Sequence, residues 1–173
     1  ENGTGSIGDI NLTLIAALNT IGIHTEAVLL STRENGVVNK LYPVLTDFNY
    51  VVAKANIGDQ AYLLDASDLF LPFGLLPLRC INDQGRVISM DQPSYWINLT
   101  ASQKRTRSFT VDLTLQDDGK IKGTMIINSF GYEAYDKRKE IKRFNSLTAY
   151  VQNLNSHLNS LKIVRGNTRY IDS

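Results

Sequence analysis

Gly5-Ser6-Ile7-Gly8-Asp9-Ile10-Asn11-Leu12-Thr13-Leu14-Ile15-Ala16-Ala17-Leu18-Asn19-Thr20-Ile21-Gly22-Ile23 is the stretch around which the rest of the chain organises. Ile10, Leu14, Ala17, Leu18 and Ile21 recur at helical spacing, so residues 9–21 are expected as a helix that stops at Gly22. Residues 23–32, rich in β-formers, read as a strand leaving that helix, followed by the polar loop Arg33-Glu34-Asn35-Gly36. Residues 48–55 and 61–64 are two further strand-like runs, joined through Gly58-Asp59 as a β-hairpin. The order helix, strand, hairpin predicts a helix packed on an antiparallel sheet.

Downstream, Leu69-Phe70-Leu71-Pro72-Phe73-Gly74-Leu75-Leu76-Pro77 is apolar, but its prolines and glycine argue for a packed loop over any regular element. Residues 86–90 and 95–99 look like short strands, with Tyr95 and Trp96 read as core; residues 101–106 read as a polar linker. A boundary therefore falls near residue 102. Beyond it Phe109, Val111, Leu113 and Leu115 alternate with Thr110, Asp112, Thr114 and Gln116, and Ile121, Gly123, Met125 and Ile127 continue the pattern after a tight turn at Asp118-Gly119. Residues 131–143 form a charged helix, Leu147, Tyr150, Val151, Leu154, Leu158 and Leu161 trace the core face of another capped by Ser146, and residues 162–171 close as a strand. The expected fold is α+β: residues 1–101 as a helix on an antiparallel sheet, residues 102–173 as a smaller α/β unit of hairpin plus helices.

The 173 residues, with 43% hydrophobic and 20% charged side chains, suffice for a sizeable core. With 18 basic and 17 acidic residues the formal charge is +1, which gives no global attraction for nucleic acid. The basic runs at Lys104-Arg105-Thr106-Arg107 and Asp136-Lys137-Arg138-Lys139-Glu140-Ile141-Lys142-Arg143 read as solvated faces. Cys80 is the single cysteine, so neither an intrachain disulfide nor a thiolate-rich zinc site can form, and no cofactor motif is present. No apolar run approaches the roughly 18 residues of a membrane span, residues 1–8 lack a signal-peptide pattern, and the start at Glu1 reads as a processed chain or an excised fragment. Asn11-Leu12-Thr13 and Asn98-Leu99-Thr100 match the glycosylation acceptor pattern.

The opening stretch resembles the nucleophile helix of the transglutaminase-like, papain-related superfamily, in which a cysteine near the helix start is followed two positions later by an acidic residue. Counting back from Gly22 by the family's spacing places the cysteine position on Ile7, with Asp9 two residues on. The family's second motif, a strand opening with histidine and an aspartate across a hairpin, is matched by Phe48-Asn49-Tyr50-Val51-Val52 and Tyr62-Leu63-Leu64-Asp65-Ala66-Ser67-Asp68. Tyr50 takes the histidine position and Asp65 the aspartate position. The likeness covers residues 5–80, and Leu71-Pro72-Phe73-Gly74-Leu75-Leu76-Pro77 also resembles a subgroup of bacterial envelope multidomain proteins. That resemblance implies a secreted, periplasmic or envelope-associated protein whose partners are peptides, proteins or neighbouring domains of the same polypeptide.

In the family, a thiolate attacks an acyl carbon, a cationic histidine supports the thiolate, and the aspartate orients the histidine. Ile7 has no lone pair to donate. Tyr50, with an unperturbed pKa of about 10, is a poor base near neutrality. The expectation is therefore a non-catalytic binding or scaffolding module with vestigial positions Ile7, Tyr50 and Asp65. Two alternatives stand beside it: an acyltransferase or peptidase using Ser6, or Cys80 with His24 or His157, and a purely structural spacer. Ser6 points roughly 100° away from the cysteine position on a helix start. Asp65 either accepts a hydrogen bond from the Tyr50 hydroxyl or serves as a turn residue with Ser67 and Asp68, and Asp65 with Asp68 offers a minor option for a hard cation.

Overall fold

A computed structural model describes residues 5–169 of the chain. The chain is α+β and divides into two compact units between Ser102 and Gln103.

The first unit begins with α1 (Ile7–Thr20), followed by β1 (Thr25–Leu30), β2 (Tyr50–Ile57), β3 (Gln60–Leu64), β4 (Gln84–Ile88) and β5 (Tyr95–Asn98). These strands form one antiparallel sheet in the order β3-β2-β1-β4-β5. The helix starts two residues earlier than its apolar pattern predicts, because Ser6 and Asp9 cap it reciprocally: the Asp9 amide donates to Ser6 Oγ at 3.2 Å and the Ser6 amide to Asp9 Oδ2 at 2.9 Å. Its buried stripe also differs from the expected one. Asn11, Leu14, Ile15 and Leu18 face the sheet, while Ala17 and Ile21 are exposed. The stripe follows the i, i+3, i+4, i+7 rule with a polar residue at its head, so counting apolar residues alone rotates it out of phase.

Side chains alternate across the sheet, giving it two different faces. Ala53, Ala55 and Leu64 receive Leu14, Ile15 and Leu18 of α1; small residues on β2 let the helix lie close. On the opposite face Val28, Leu30, Tyr50, Val52 and Val87 form the main core with Leu76, Cys80 and Leu99. Gly85 belongs to this face, where a Cβ would come within 2.6 Å of Val28 Cγ1. A buried ion pair continues it: register partners Glu26 and Lys54 meet at 2.8 Å, and the Tyr95 hydroxyl donates to the same Glu26 oxygen at 3.1 Å. Burial opposes ionisation of both, yet their mutual bond, with Ser89 and Tyr95 adding to it, holds Glu26 below and Lys54 above their ordinary pKa values.

The stretch after β3 is irregular, as its prolines require, but it is not packed throughout. Leu75 and Leu76 are buried while Leu69 and Phe73 are exposed, Phe73 resting on Tyr62. Asn11 is fully buried with its amide hydrogen-bonded, so the first glycosylation pattern is not an accessible acceptor. Trp96 is half-buried between Phe48 and Arg86.

The second unit contains β6 (Arg105–Leu115), β7 (Ile121–Gly131), α2 (Tyr132–Lys142) and α3 (Leu147–Ser156). β6 begins inside the segment expected as a linker. The hairpin register is the one that alternation implies, Phe109 opposite Ile127, Val111 opposite Met125 and Leu115 opposite Ile121. Its turn is not a two-residue one: Gln116 and Lys120 still pair, and Asp117-Asp118-Gly119 loops between them with Gly119 at φ +78°. Ser146 caps α3 through the Ala149 amide, Tyr150 is the buried residue of its face, and Leu158 and Leu161 lie beyond its end. Residues 162–169 are not a strand; 170 and 171 lie outside the described residues.

Candidate functional site

The N-terminus of α1, the start of β2 and the end of β3 converge at one end of the first unit, because β2 pairs antiparallel with β3 and α1 packs along β2. Asp65, one residue past β3, is buried and fully engaged. Its Oδ2 accepts from the Tyr50 hydroxyl at 2.7 Å, and its Oδ1 accepts from Asn11 Nδ2 and from the Ser67 amide, each at 2.9 Å. Both readings of Asp65 therefore hold at once, one oxygen serving Tyr50 and the other the turn.

Tyr50 is tied from the other side too. Arg79 Nη2 donates to its hydroxyl at 3.1 Å, and Ser67 Oγ lies at 3.1 Å. Burial, with the Asp65 carboxylate adding to it, pushes the phenol up to about 12, against the smaller opposing pull of Ser67 and Arg79. The hydroxyl is a hydrogen-bond donor held in its neutral form.

Asn11 locks the cluster to the helix. Its Nδ2 donates to the Val51 carbonyl as well as to Asp65, and its Oδ1 accepts the Ala66 amide at 2.8 Å. Neither Asn11, which the sequence marks only as part of a glycosylation pattern, nor Arg79 is expected at this site from the sequence. For Asn11 a signal exists, a polar residue heading the buried stripe of an amphipathic helix; for Arg79, in an irregular segment far from Tyr50 in sequence, there is none.

Ile7 lies one turn before Asn11 and is 37% exposed. With Gly8, Leu29, Leu45, Phe48, Asn49, Tyr50 and Val51 it lines a concavity of about 310 Å³. The three positions singled out from the sequence are thus brought to one region: Tyr50 and Asp65 are bonded, and Ile7 shares the concavity wall with Tyr50. No family model, curated protein or solved structure matches this chain.

The alternative nucleophiles are placed differently. Ser6 sits beside Ile7 with its hydroxyl donated to Asp9 at 2.7 Å, inside the helix cap. Cys80 is fully buried in the main core, and burial, reinforced by Asp65, pushes its thiol up to about 12. His24 bonds Asn56 and precedes Thr25, at the end of β1 remote from the Leu30–Tyr50 pair, about 20 Å along the strand. The fold therefore does not bring His24 to Cys80; His157 belongs to the second unit. Asp68 accepts the Phe70 amide at 3.0 Å as a turn residue, and among the described residues no group of three or more His, Cys, Asp or Glu is placed to hold a metal. No helix among them is long and apolar enough to cross a membrane.

Proposed function

We propose that the first unit is a non-catalytic, transglutaminase-like module that binds a peptide-like or protein partner, within a larger secreted or envelope-associated protein. The observation that carries this reading is the wall of the concavity at the start of α1. Where the family would present a nucleophile, this chain presents Ile7, and around it stand Leu29, Leu45, Phe48 and Val51. A recess of about 310 Å³ with this largely apolar lining suits a bulky apolar side chain of a partner, and it carries neither a cysteine nor a serine. The Tyr50–Asp65 pair supports the same reading. A phenol pushed up to about 12 is a positioning element near neutral pH and not a base. A purely structural spacer is less favoured, since the recess is open and Ile7 is partly exposed.

Two measurements test the proposal together. Serine- and thiol-directed acyl probes applied to the native protein are expected to leave Ser6 and Cys80 unlabelled; stoichiometric acylation of either would establish the enzymatic alternative. Fluorescent peptides with a central Leu or Phe are expected to bind, and Phe48→Ala or Ile7→Lys to weaken them about tenfold. Binding that neither substitution alters would remove the recess from the function.

A further inference from the structure

The ribbon of β6 and β7 has two unlike faces. One carries Phe109, Val111, Leu113 and Leu115 opposite Ile127, Met125, Gly123 and Ile121; the other carries Ser108, Thr110, Asp112 and Thr114 opposite Asn128, Ile126, Thr124 and Lys122. The first face contains no charge over four consecutive rows, and Leu113 leans across Gly123, where a Cβ would lie 2.8 Å from Leu113 Cδ2. The apolar surface is thereby continuous. This is the pattern of a sheet face made for burial, with a hydroxyl-rich face for solvent. Yet every apolar residue on it is about half exposed or more, from 48% at Ile127 to 71% at Leu115.

The unit's own helix does not cover it. Arg105 and Arg107 lie on the same face, nearer its base, and both pair with Glu133 at the start of α2, Arg105 also with Asp136. Those pairs fix the helix over the charged rows and leave the apolar rows open. An isolated two-stranded ribbon is marginal in water and gains stability when a further layer packs on it.

We propose that this layer is a second copy of the same chain, two ribbons stacking apolar face to apolar face about a two-fold axis. The area supports a dimer. Seven apolar side chains exposed to this extent present roughly 600 Å² per copy, at the top of what monomers leave open, and a pair buries about 1,200 Å², the lower end of specific interfaces. The chemistry supports it as well. Stacked sheet faces lie about 10 Å apart with side chains interdigitating, and four rows without a charged residue bring no uncompensated charge into the interface. A lipid surface fits less well, because the ribbon tip, where Lys120 pairs with Asp118 beside Asp117, carries no surplus of positive charge to draw it to anionic headgroups.

Sedimentation equilibrium of the intact chain across micromolar to hundreds of micromolar concentration tests this. The expected result is a reversible monomer–dimer equilibrium, weakened at least tenfold by Leu113→Lys and unchanged by Thr110→Lys on the opposite face. Both positions are exposed in a single copy, so circular dichroism of both variants should match the parent. A second variant on the same face, Val111→Lys, should weaken the dimer likewise. A monomer over the whole range overturns the proposal and assigns the face to another segment of the polypeptide or to a different partner. So does a dimer that Leu113→Lys and Val111→Lys both leave intact.

Discussion

Replacing Asn11 by Ala removes a side chain that is fully buried and makes three hydrogen bonds joining α1, β2 and the turn after β3. The bond to the Asp65 carboxylate is of the charge-assisted kind, contributing about 1.5–3 kcal/mol; the bonds to Val51 and from Ala66 contribute about 1 kcal/mol each. The Ala66 amide is left without its acceptor. The expected loss is about 3–5 kcal/mol, a large share of the 5–15 kcal/mol typical of a folded domain. Urea unfolding followed by far-ultraviolet circular dichroism should show the midpoint falling with an unchanged slope, and thermal unfolding should drop by roughly 10 °C. Asn11→Asp sharpens the test. It conserves the volume but sets a carboxylate against Asp65, so it should cost at least as much as Ala at neutral pH and recover as pH falls, when the two carboxylates share a proton. A loss below about 1 kcal/mol for Asn11→Ala, or an Asn11→Asp variant indifferent to pH, would refute the view that this amide pins the site.

Two further outcomes follow from the same geometry. Because Tyr50 is raised from 10.0 to about 12, the folded state holds the phenolic proton more tightly than the unfolded chain; that stabilisation is complete below pH 10 and disappears as pH climbs toward 12. Tyr50→Phe should therefore flatten the alkaline decline in urea midpoint, while costing about 1–2 kcal/mol at neutral pH through the lost bond to Asp65. Lys54→Met leaves Glu26 charged, buried and unpaired, an expected cost of about 3–5 kcal/mol, whereas the Glu26→Leu, Lys54→Met double variant should cost far less than the sum of the singles. Glu26 is lowered from 4.5, so its contribution is present above that pH and lost as pH falls below it; the double variant should lack that acid-sensitive limb, and its persistence would point to other carboxylates.

Much of the secondary structure is legible because the chain states it locally. The period-two alternation from Phe109 onward specifies both strands and their register, since a slip of one residue would turn every apolar side chain to the other face. The α1 segment is equally plain, but its phase is not. Asn11 belongs to the buried stripe and Ile21 does not, which hydropathy cannot express because a buried amide is acceptable only where the fold provides its partners. At the candidate site, the pairing of Tyr50 with Asp65 is one of two readings of the sequence, suggested by the family resemblance, and the hydrogen bond between them is present. Arg79 is not legible there, for its guanidinium reaches Tyr50 from an irregular segment whose path no periodicity encodes.

By itself the sequence determined the α+β class, the order of the elements as far as the last helix, and the absence of a cysteine or histidine at Ile7 and Tyr50, all of which depend on residue identity and short-range spacing. Tertiary structure alone decided which polar groups are satisfied and which apolar ones are not. It placed three donors on Asp65, sealed Cys80 in the core, and left the four apolar rows of the β6–β7 ribbon in solvent. The physical reason is that burial and hydrogen-bond partnership are properties of neighbours brought from afar, so a stripe that reads as core in sequence becomes core only where something packs upon it.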